Sequence, residues 1–250
     1  MSEDNQVPRP LHKKVWIRLR SCFQWILGGA LFTANVAILF VLSFFKTQKQ
    51  LDSFLQCLAA QMIWVSGIKI QHEGLEHLDR TKNYMVVFNH INFFDHFVMF
   101  RTLKLSKLRG IEKESHFSWP VYGTFLRRIR ILPIAPRGDT KRALESLEKA
   151  KIYIKQEYSL LMAPEGTRSK DGKLQPFKKG AFHLAIETGV TILPVVFKGM
   201  DRFNLKGSID LHPGPVTLSI LPTIEAKKFS KDEVGELRDL THQVIKNALS

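Results

Sequence analysis

The stretch that decides the fold is YMVVFNHINFFDH, residues 84–96, in which five apolar residues lead into a polar run. Such a run is typical of a buried strand, and in open α/β folds the reactive side chains gather where strands end. His90 follows this predicted strand, and Asp95 lies five positions further on. Histidine is well suited to take up a proton near neutral pH, and a carboxylate bonded to Nδ1 fixes its tautomer. We therefore predict a catalytic pair, with His90 as general base and Asp95 as its orienting partner.

Other interpretations of this stretch stay open at this point. A histidine and an aspartate at this spacing often occur by chance, and the ordinary alternative is a hydrogen-bonded strand-end histidine with Asp95 capping a helix. A metal site made by His90, Asp95 and His96 is disfavoured because neighbouring side chains diverge on a helix, so no metal is expected. Since no serine or cysteine lies nearby in a nucleophile-elbow context, the predicted nucleophile is a hydroxyl of the substrate.

Outward from this stretch, short apolar runs alternate with helical patterns from residue 68 to the last residue. The predicted strands are 68–71, 84–88, 131–135, 160–163, 191–197 and 216–220. The predicted helices are 139–156, 178–188 and a last helix that a Ser230–Glu233 capping box opens. This alternation predicts an α/β fold with a mostly parallel or mixed sheet flanked by helices. No linker divides residues 68–250, which we therefore predict to be one domain.

A second polar turn follows the predicted strand 160–163, in the run LLMAPEGTRS at residues 160–169. A glycine-containing turn can direct backbone N–H groups at an anion, and the planar guanidinium of Arg168 suits a phosphate. Glu165 either holds Arg168 or accepts a hydrogen bond from a substrate hydroxyl. Lys178 begins a predicted helix whose positive N-terminus adds to the same field. The ordinary alternative is a surface turn with an ion pair.

A third strand end carries Arg137, which precedes the predicted helix 139–156 and is a second candidate phosphate ligand. The whole chain has a net charge of +14, which favours an anionic partner such as lipid headgroups, phosphorylated substrates, an acidic carrier protein or nucleic acid. The sequence lacks an RNA-binding aromatic motif, a zinc finger and a clear helix-turn-helix, so no nucleic-acid partner is expected.

Residues 1–67 differ from the rest and are predicted to be a basic N-terminus with membrane-embedded or interfacial helices. The segment 22–45 contains no charged residue, and as a helix it would reach about 36 Å, enough to span or embed in a bilayer. A second, amphipathic helix over 51–65 is predicted to lie in the membrane interface or to pack on the core. Cys22 and Cys57 lie in apolar stretches, which favours buried packing over a disulfide.

Taken in the order in which they follow one another along the chain, the motifs resemble the four sequence blocks of the glycerolipid acyltransferase family. The likeness is greatest to bacterial 1-acyl-glycerol-3-phosphate acyltransferases. The matching residues are Asn89-His90 with Asp95, then Arg137, then the run 165–169, then Pro194. The likeness extends from about residue 68 to about residue 224, and the N-terminal helices are also similar to that family.

The resemblance implies transfer of a fatty acyl group from acyl-CoA or acyl-carrier protein to the sn-2 hydroxyl of 1-acyl-glycerol-3-phosphate, which gives phosphatidate. The reaction would proceed in a ternary complex without an acyl-enzyme, a metal or another cofactor. His90 would be the base and Asp95 its orienting partner. The acceptor's phosphate and glycerol would be held by Arg137, Glu165, Gly166, Thr167, Arg168 and Lys178.

The partners implied are membrane lipid, a lysophosphatidate-type acceptor and the acyl donor. Since activated donors are expected inside the cell, we expect the catalytic domain on the cytoplasmic face of the inner or plasma membrane. We favour a segment 22–45 that dips in and returns, or a membrane-embedded hairpin, over a full crossing.

Two positions depart from the family pattern. Asn92 stands where many relatives have serine, and Pro136 stands where many have aspartate. Both lie beside acceptor-binding positions, so another lysophospholipid or glycerol 3-phosphate remains an alternative acceptor. A non-catalytic lipid-binding protein of the membrane surface is an alternative from a different class.

Overall fold

The computed structural model describes residues 10–135 and 138–250. Its helices are α1 (Leu11–Leu42), α2 (Gln48–Ser66), α3 (Asp95–Leu103), α4 (Tyr122–Arg128), α5 (Thr140–Lys155), α6 (Gly180–Thr188), α7 (Met200–Phe203) and α8 (Val234–Leu249). Its strands are β1 (Lys69–Glu73), β2 (Met85–Phe88), β3 (Leu108–Arg109), β4 (Ile111–Lys113), β5 (Leu132–Ile134), β6 (Ser159–Met162), β7 (Thr191–Lys198), β8 (Pro215–Ile220) and β9 (Ile224–Glu225).

Seven strands form one mixed sheet in the order β1–β8–β7–β2–β6–β3, and β9 pairs with β7 off this path. The run β7–β2–β6–β3 is parallel, whereas β8 is antiparallel to β7 and parallel to β1. Val87 of β2 lies opposite Met162 on one side and Pro194 on the other. The predicted α/β fold with a mixed sheet is therefore confirmed.

The strand predicted at 131–135 exists as β5, but it lies outside the main sheet. It pairs with β4 in a separate two-stranded parallel sheet, with Ile111 opposite Leu132. Leu132 is buried, but Ile134 is exposed, so β5 lacks the continuous apolar surface of a strand that lies between two layers. The short β3 and β4 escaped prediction because two or three residues that include Arg109 and Glu112 carry no apolar period.

Each face of the sheet has its own apolar core, and alternate residues of β2 enter different cores. Val86 and Phe88 belong to the core beneath α2, α3 and α4, whereas Met85 and Val87 belong to the core beneath α5, α6 and α8. This alternation follows from the period of two in a strand. All four side chains are at most 1% exposed, so the strand that ends before His90 is held from both sides.

The predicted amphipathic helix is α2, and its apolar stripe packs on the core. The stripe consists of five buried residues, Leu51, Leu55, Leu58, Met62 and Val65. A capping box between Thr47 and Gln50 opens the helix. It ends at Gly67, whose φ of 73° is the left-handed conformation that favours glycine.

Helix α1 presents an apolar surface that the protein does not cover. It is long and apolar enough to cross a membrane, and little of its most apolar segment is buried. Its exposed side chains include Trp16, Phe23 and Ile26, and an uncovered apolar face of this extent is typical of membrane contact. Cys22 and Cys57 are exposed as well. The prediction that they are buried is wrong, because Cys22 lies on the uncovered face of α1 and Cys57 lies on the side of α2 opposite its buried stripe.

Both ends of α1 are tied to the α/β unit. Near its start, Arg18 forms a bidentate ion pair with Asp210, with N–O distances of 2.5 and 3.0 Å. Just after its end, the Arg128 guanidinium donates to the hydroxyl of Ser43 at 2.7 Å and lies 3.7 Å from the ring centroid of Phe44. Because α2 returns alongside it, α1 forms half of a helical hairpin that lies against the unit.

A buried ion pair fastens α2 to the edge of the sheet. Arg109 is fully buried and donates from Nη1 to Oδ1 of Asp52 at 2.6 Å. It also donates to the Gln48 side chain at 3.1 Å, and its guanidinium lies 5.3 Å from the ring centroid of Tyr158. The other oxygen of Asp52 accepts the backbone N–H of Lys107 at 2.9 Å. A buried charge is costly unless it is paired in this way.

We expect Asp52→Ala to destabilise the protein by about 3 kcal/mol, because it leaves the Arg109 charge buried and unpaired. The measurement is thermal unfolding in detergent micelles. The double variant Asp52→Leu/Arg109→Met removes both charges and should recover most of the loss. An unchanged midpoint for Asp52→Ala, or a double variant less stable than the single one, would contradict this assignment.

Candidate active site

The site lies where the parallel strands β2 and β6 end beside each other. Since β2 and β6 run in the same direction, the residues that follow them meet at one edge of the sheet. His90 comes two residues after β2, and Glu165 comes three residues after β6. The backbone N–H of His90 donates to Oε1 of Glu165 at 2.8 Å. The two motifs separated by 75 positions in the sequence are therefore in direct contact.

The predicted pair of His90 and Asp95 is formed in the structure. Nδ1 of His90 lies 2.8 Å from Oδ2 of Asp95, and Asp95 is the first residue of α3. The same oxygen accepts the backbone N–H groups of Ile91 at 2.7 Å and Asn92 at 3.0 Å. In the tautomer in which Nδ1 donates to the carboxylate, Nε2 is left to accept a proton. The imidazole is part-exposed, at 18%, whereas Asp95 is fully buried.

The buried position of Asp95 affects its charge. Burial raises the pKa of the Asp95 carboxyl, and the hydrogen bonds from His90, Ile91 and Asn92 act in the opposite direction. A buried carboxylate gains from a neighbouring positive charge. Uptake of a proton by His90 would supply that charge 2.8 Å away, so the pair favours the protonated imidazole that general-base catalysis produces.

A second imidazole, that of His96, lies beside the first. The ring centroids of His90 and His96 are 5.5 Å apart in an edge-to-face arrangement, and both rings also contact Phe88 edge-to-face. Burial lowers the pKa of His96 to about 3, and the charge on His90 acts in the same direction. His96 is therefore neutral at physiological pH and does not repel a protonated His90.

The Glu165 carboxylate joins two loops by hydrogen bonds. Besides the N–H of His90, it accepts the N–H of Gln175 at 3.0 Å through its second oxygen, and the residue is 5% exposed. Burial raises the pKa of its carboxyl, while both backbone hydrogen bonds lower it. Ser169 N–H closes the arrangement by donating to the carbonyl of His90 at 2.7 Å. One oxygen of Glu165 thus holds the backbone N–H of His90 and the other holds that of Gln175, while Ser169 holds the carbonyl of His90.

The remaining predicted acceptor residues form the turn after β6. Gly166 has a φ of 72°, and a Cβ built on it would lie 3.1 Å from Nζ of Lys178, so the lysine side chain passes close to this turn. Thr167 accepts from Nζ of Lys206 at 3.2 Å, and Arg168 is exposed. One cation, Arg168, thus belongs to the turn, and two others, Lys178 and Lys206, reach it from elsewhere in the chain. Arg137, which was also predicted to bind phosphate, lies outside the described residues.

Three polar residues at this edge were not among the predicted site residues. Asn89 exchanges two hydrogen bonds with the backbone of Phe197, at 2.8 and 3.1 Å, and so joins the end of β2 to β7. Asn92 donates to the carbonyls of Met200 and Asn204 and accepts the N–H of Phe94. Asn89 and Asn92 could have been predicted as site residues, because each is a short polar side chain within a largely apolar run. Lys206 is distant in sequence and gave no such signal.

Comparison with known proteins agrees with this geometry. The profile of the acyltransferase family matches residues 69–198. A 1-acyl-sn-glycerol-3-phosphate acyltransferase of Limnanthes douglasii is 32% identical over 187 residues, which cover 73% of this chain and 64% of that protein. The corresponding Escherichia coli protein is 33% identical over 172 residues, which cover 68% of this chain and 69% of that protein.

One solved structure, that of a 1-acyl-sn-glycerophosphate acyltransferase from Thermotoga maritima, shares the fold. It superposes with a TM-score of 0.80 at 24% identity and covers 94% of this chain and 95% of that one. A histidine–aspartate pair at the edge of a mixed α/β sheet is the arrangement of a general-base site. The chain belongs to the acyltransferase family.

The Asp95→Asn variant tests the pairing. We expect kcat for acyl transfer to fall by about 100-fold or more, because the amide keeps an oxygen for the N–H groups of Ile91 and Asn92 but cannot stabilise the imidazolium. The KM values should change much less, since Asp95 is buried beneath His90. The control is Asp232→Asn, an exposed aspartate before α8. Full activity of folded Asp95→Asn would exclude the role assigned to this carboxylate.

Proposed function

We propose that this chain transfers a fatty acyl group from acyl-CoA or acyl-carrier protein to the sn-2 hydroxyl of 1-acyl-glycerol-3-phosphate, with phosphatidate as product. The observation that carries this proposal is the 2.8 Å contact between His90 and a fully buried Asp95. Such a pair can activate a hydroxyl. The acceptor is proposed from the names of two relatives that are 32% and 33% identical to this chain.

In the proposed reaction, Nε2 of His90 takes the proton of the acceptor hydroxyl as its oxygen attacks the thioester carbonyl. The C–O bond forms, a tetrahedral oxyanion appears, and its collapse breaks the C–S bond. The proton on His90 then passes to the leaving thiolate. Asp95 stabilises the imidazolium between these two transfers. A buried carboxylate held by two backbone N–H groups in addition to the imidazole keeps the base in place throughout.

The phosphate of the acceptor is proposed to bind at the turn after β6. Lys178 passes close to Gly166, Lys206 reaches Thr167, and Arg168 is exposed on the same turn. Arg168 can bind a phosphate through two parallel hydrogen bonds, and lysines add charge without such directionality. Arg137 keeps its predicted role in this proposal. Glu165 would act mainly by joining the His90 backbone to that of Gln175, since it accepts one N–H from each.

The membrane attachment of the chain is proposed to place the site on the cytoplasmic face. Helix α1 is tied to the α/β unit at Arg18 and again just beyond its end at Ser43. These two attachments support a hairpin that dips into one leaflet and returns, as opposed to a helix that crosses both. The catalytic unit then stays on the side where activated acyl donors occur.

The first experiment is acyl transfer in mixed micelles with oleoyl-CoA and 1-acyl-glycerol-3-phosphate. We expect the wild-type protein to release thiol and form diacyl product, and we expect His90→Ala to lower kcat by about 10²- to 10⁴-fold because the base is missing. The matched control is His183→Ala, which removes an exposed histidine of α6.

Two outcomes of this assay decide the proposal. Product that depends on His90 but not on His183 supports it, and replacing the acceptor with other lysophospholipids or glycerol 3-phosphate then ranks the alternatives. Near-normal turnover by His90→Ala contradicts the mechanism. A folded wild-type protein that binds these lipids yet transfers no acyl group to any of them, from either donor, would indicate a lipid-binding protein.

The orientation can be tested with a single cysteine. In a Cys22→Ser/Cys57→Ser background, Asn247→Cys places a thiol on the exposed side of α8. We expect a membrane-impermeant maleimide to label it in inside-out vesicles and not in right-side-out vesicles, because the α/β unit would be cytoplasmic. The reverse labelling pattern would place the unit on the opposite face.

A further inference from the structure

Beside α8 lies an open cavity of about 910 Å³ that adjoins the candidate active site without containing it. Its walls come from the loop 172–177, the end of β7, α7 and one side of α8. Ile91 and Phe197 form the end nearest His90: Ile91 directly follows it, and the backbone of Phe197 is bonded to Asn89. The turn proposed to hold the acceptor phosphate does not line this cavity.

The cavity is strongly basic. Among the side chains of its lining, two are carboxylates, Asp201 and Asp239, and five are cations, namely Lys173, Lys198, Arg202, Arg238 and Lys246. One of these charges is balanced locally, since Arg238 forms an ion pair with Asp239 at 2.7 Å. A concave surface with an excess of one charge concentrates ligands of the opposite charge. The surface therefore suits a ligand with several phosphate groups.

The cavity is also long and partly apolar. The α8 residues that line it run from Arg238 to Lys246 and beyond, a distance of about 12 Å at 1.5 Å per residue. Leu174, Pro176 and Phe177 contribute apolar wall in addition to Ile91 and Phe197. His242 lies in the same wall, with its ring 4.8 Å from that of Phe177. A ligand that joins a phosphorylated end to a less polar arm would match this distribution.

We propose that this cavity binds the phosphorylated nucleotide end of acyl-CoA, with the pantetheine arm leading past Ile91 to His90. This inference rests on the proposed function and assigns one of its two possible donors. A folded carrier protein would meet only the exposed cations of the lining, Lys173, Arg202 and Lys246, whereas an extended nucleotide can also reach Lys198 and Arg238, which are part-buried within the concavity. The cavity and the turn after β6 would then bind the donor and the acceptor separately.

The kinetic test compares charge reversals inside and outside the cavity. Lys173→Glu and Lys246→Glu, alone and together, reverse two exposed cations of the lining. The control Lys155→Glu makes the same charge change at the end of α5, outside the cavity. We expect the double variant to raise the KM for oleoyl-CoA by about tenfold or more. Its KM for 1-acyl-glycerol-3-phosphate and the kinetics of the control should stay near the wild-type values.

The binding test needs no turnover. Titration calorimetry in neutral detergent micelles measures the binding of free CoA and of adenosine 3′,5′-bisphosphate. We expect both to bind the wild-type protein with an affinity that falls as salt is added. The double variant should bind each about tenfold more weakly, and Lys155→Glu should bind them as the wild type does.

Each outcome separates this inference from the proposed function. Loss of CoA binding in the double variant supports the inference even if no acyl transfer is found, a result that would overturn the proposed function alone. Acyl transfer that depends on His90, together with unchanged CoA affinity and acyl-CoA KM in the double variant, overturns the inference alone. The inference would also be overturned by a double variant whose KM is raised for acyl-carrier protein but not for acyl-CoA. A double variant whose KM is raised for the acceptor and not for acyl-CoA would overturn it as well.

Discussion

A single oxygen, Oδ2 of Asp95, accepts the three hydrogen bonds on which the arrangement of the reactive edge depends. One comes from the imidazole of His90, and two come from the backbone N–H groups of Ile91 and Asn92. The loop after β2 is thereby folded around the first residue of α3. The histidine cannot move relative to the carboxylate without breaking bonds in a dry environment, where unpaired polar groups are costly. Glu165 adds a second constraint from β6 through the His90 N–H.

The sequence predicted the structure best where two conditions are met: the interacting residues are close in sequence, and the strand beside them is buried. The apolar run 84–88 followed by His90 and Asp95 predicted both a strand and a paired site because the strand lies between two cores and the pair is local. The contact between His90 and Glu165 could be expected only in outline, since it depends on β2 and β6 being neighbours. The prediction was poorest where neither condition holds, as in the separate β4–β5 sheet.

Long-range polar contacts were the main feature that no local pattern revealed. The ion pair of Asp52 with Arg109 joins residues 57 positions apart, and Lys206 reaches Thr167 across 39 positions. In a single sequence a lysine or arginine of this kind looks like any solvated surface charge. The exposure of Cys22 escaped prediction for a related reason. An apolar stretch of sequence does not show whether its side chains contact protein or lipid.

The α1–α2 hairpin supplies part of the first core as well as the exposed apolar surface that is proposed to contact the membrane. Leu51 and Leu58 of α2 lie in one apolar cluster with Val98 and Met99 of α3, which are fully buried. A chain shortened to begin at residue 68 would expose this cluster to water. The proposed membrane attachment and the folding of the core therefore depend on the same two helices, so a variant designed to lack the attachment would replace the outward-facing residues of α1 and keep both helices. In the proposed membrane attachment, lipid would form the outer layer that covers α1.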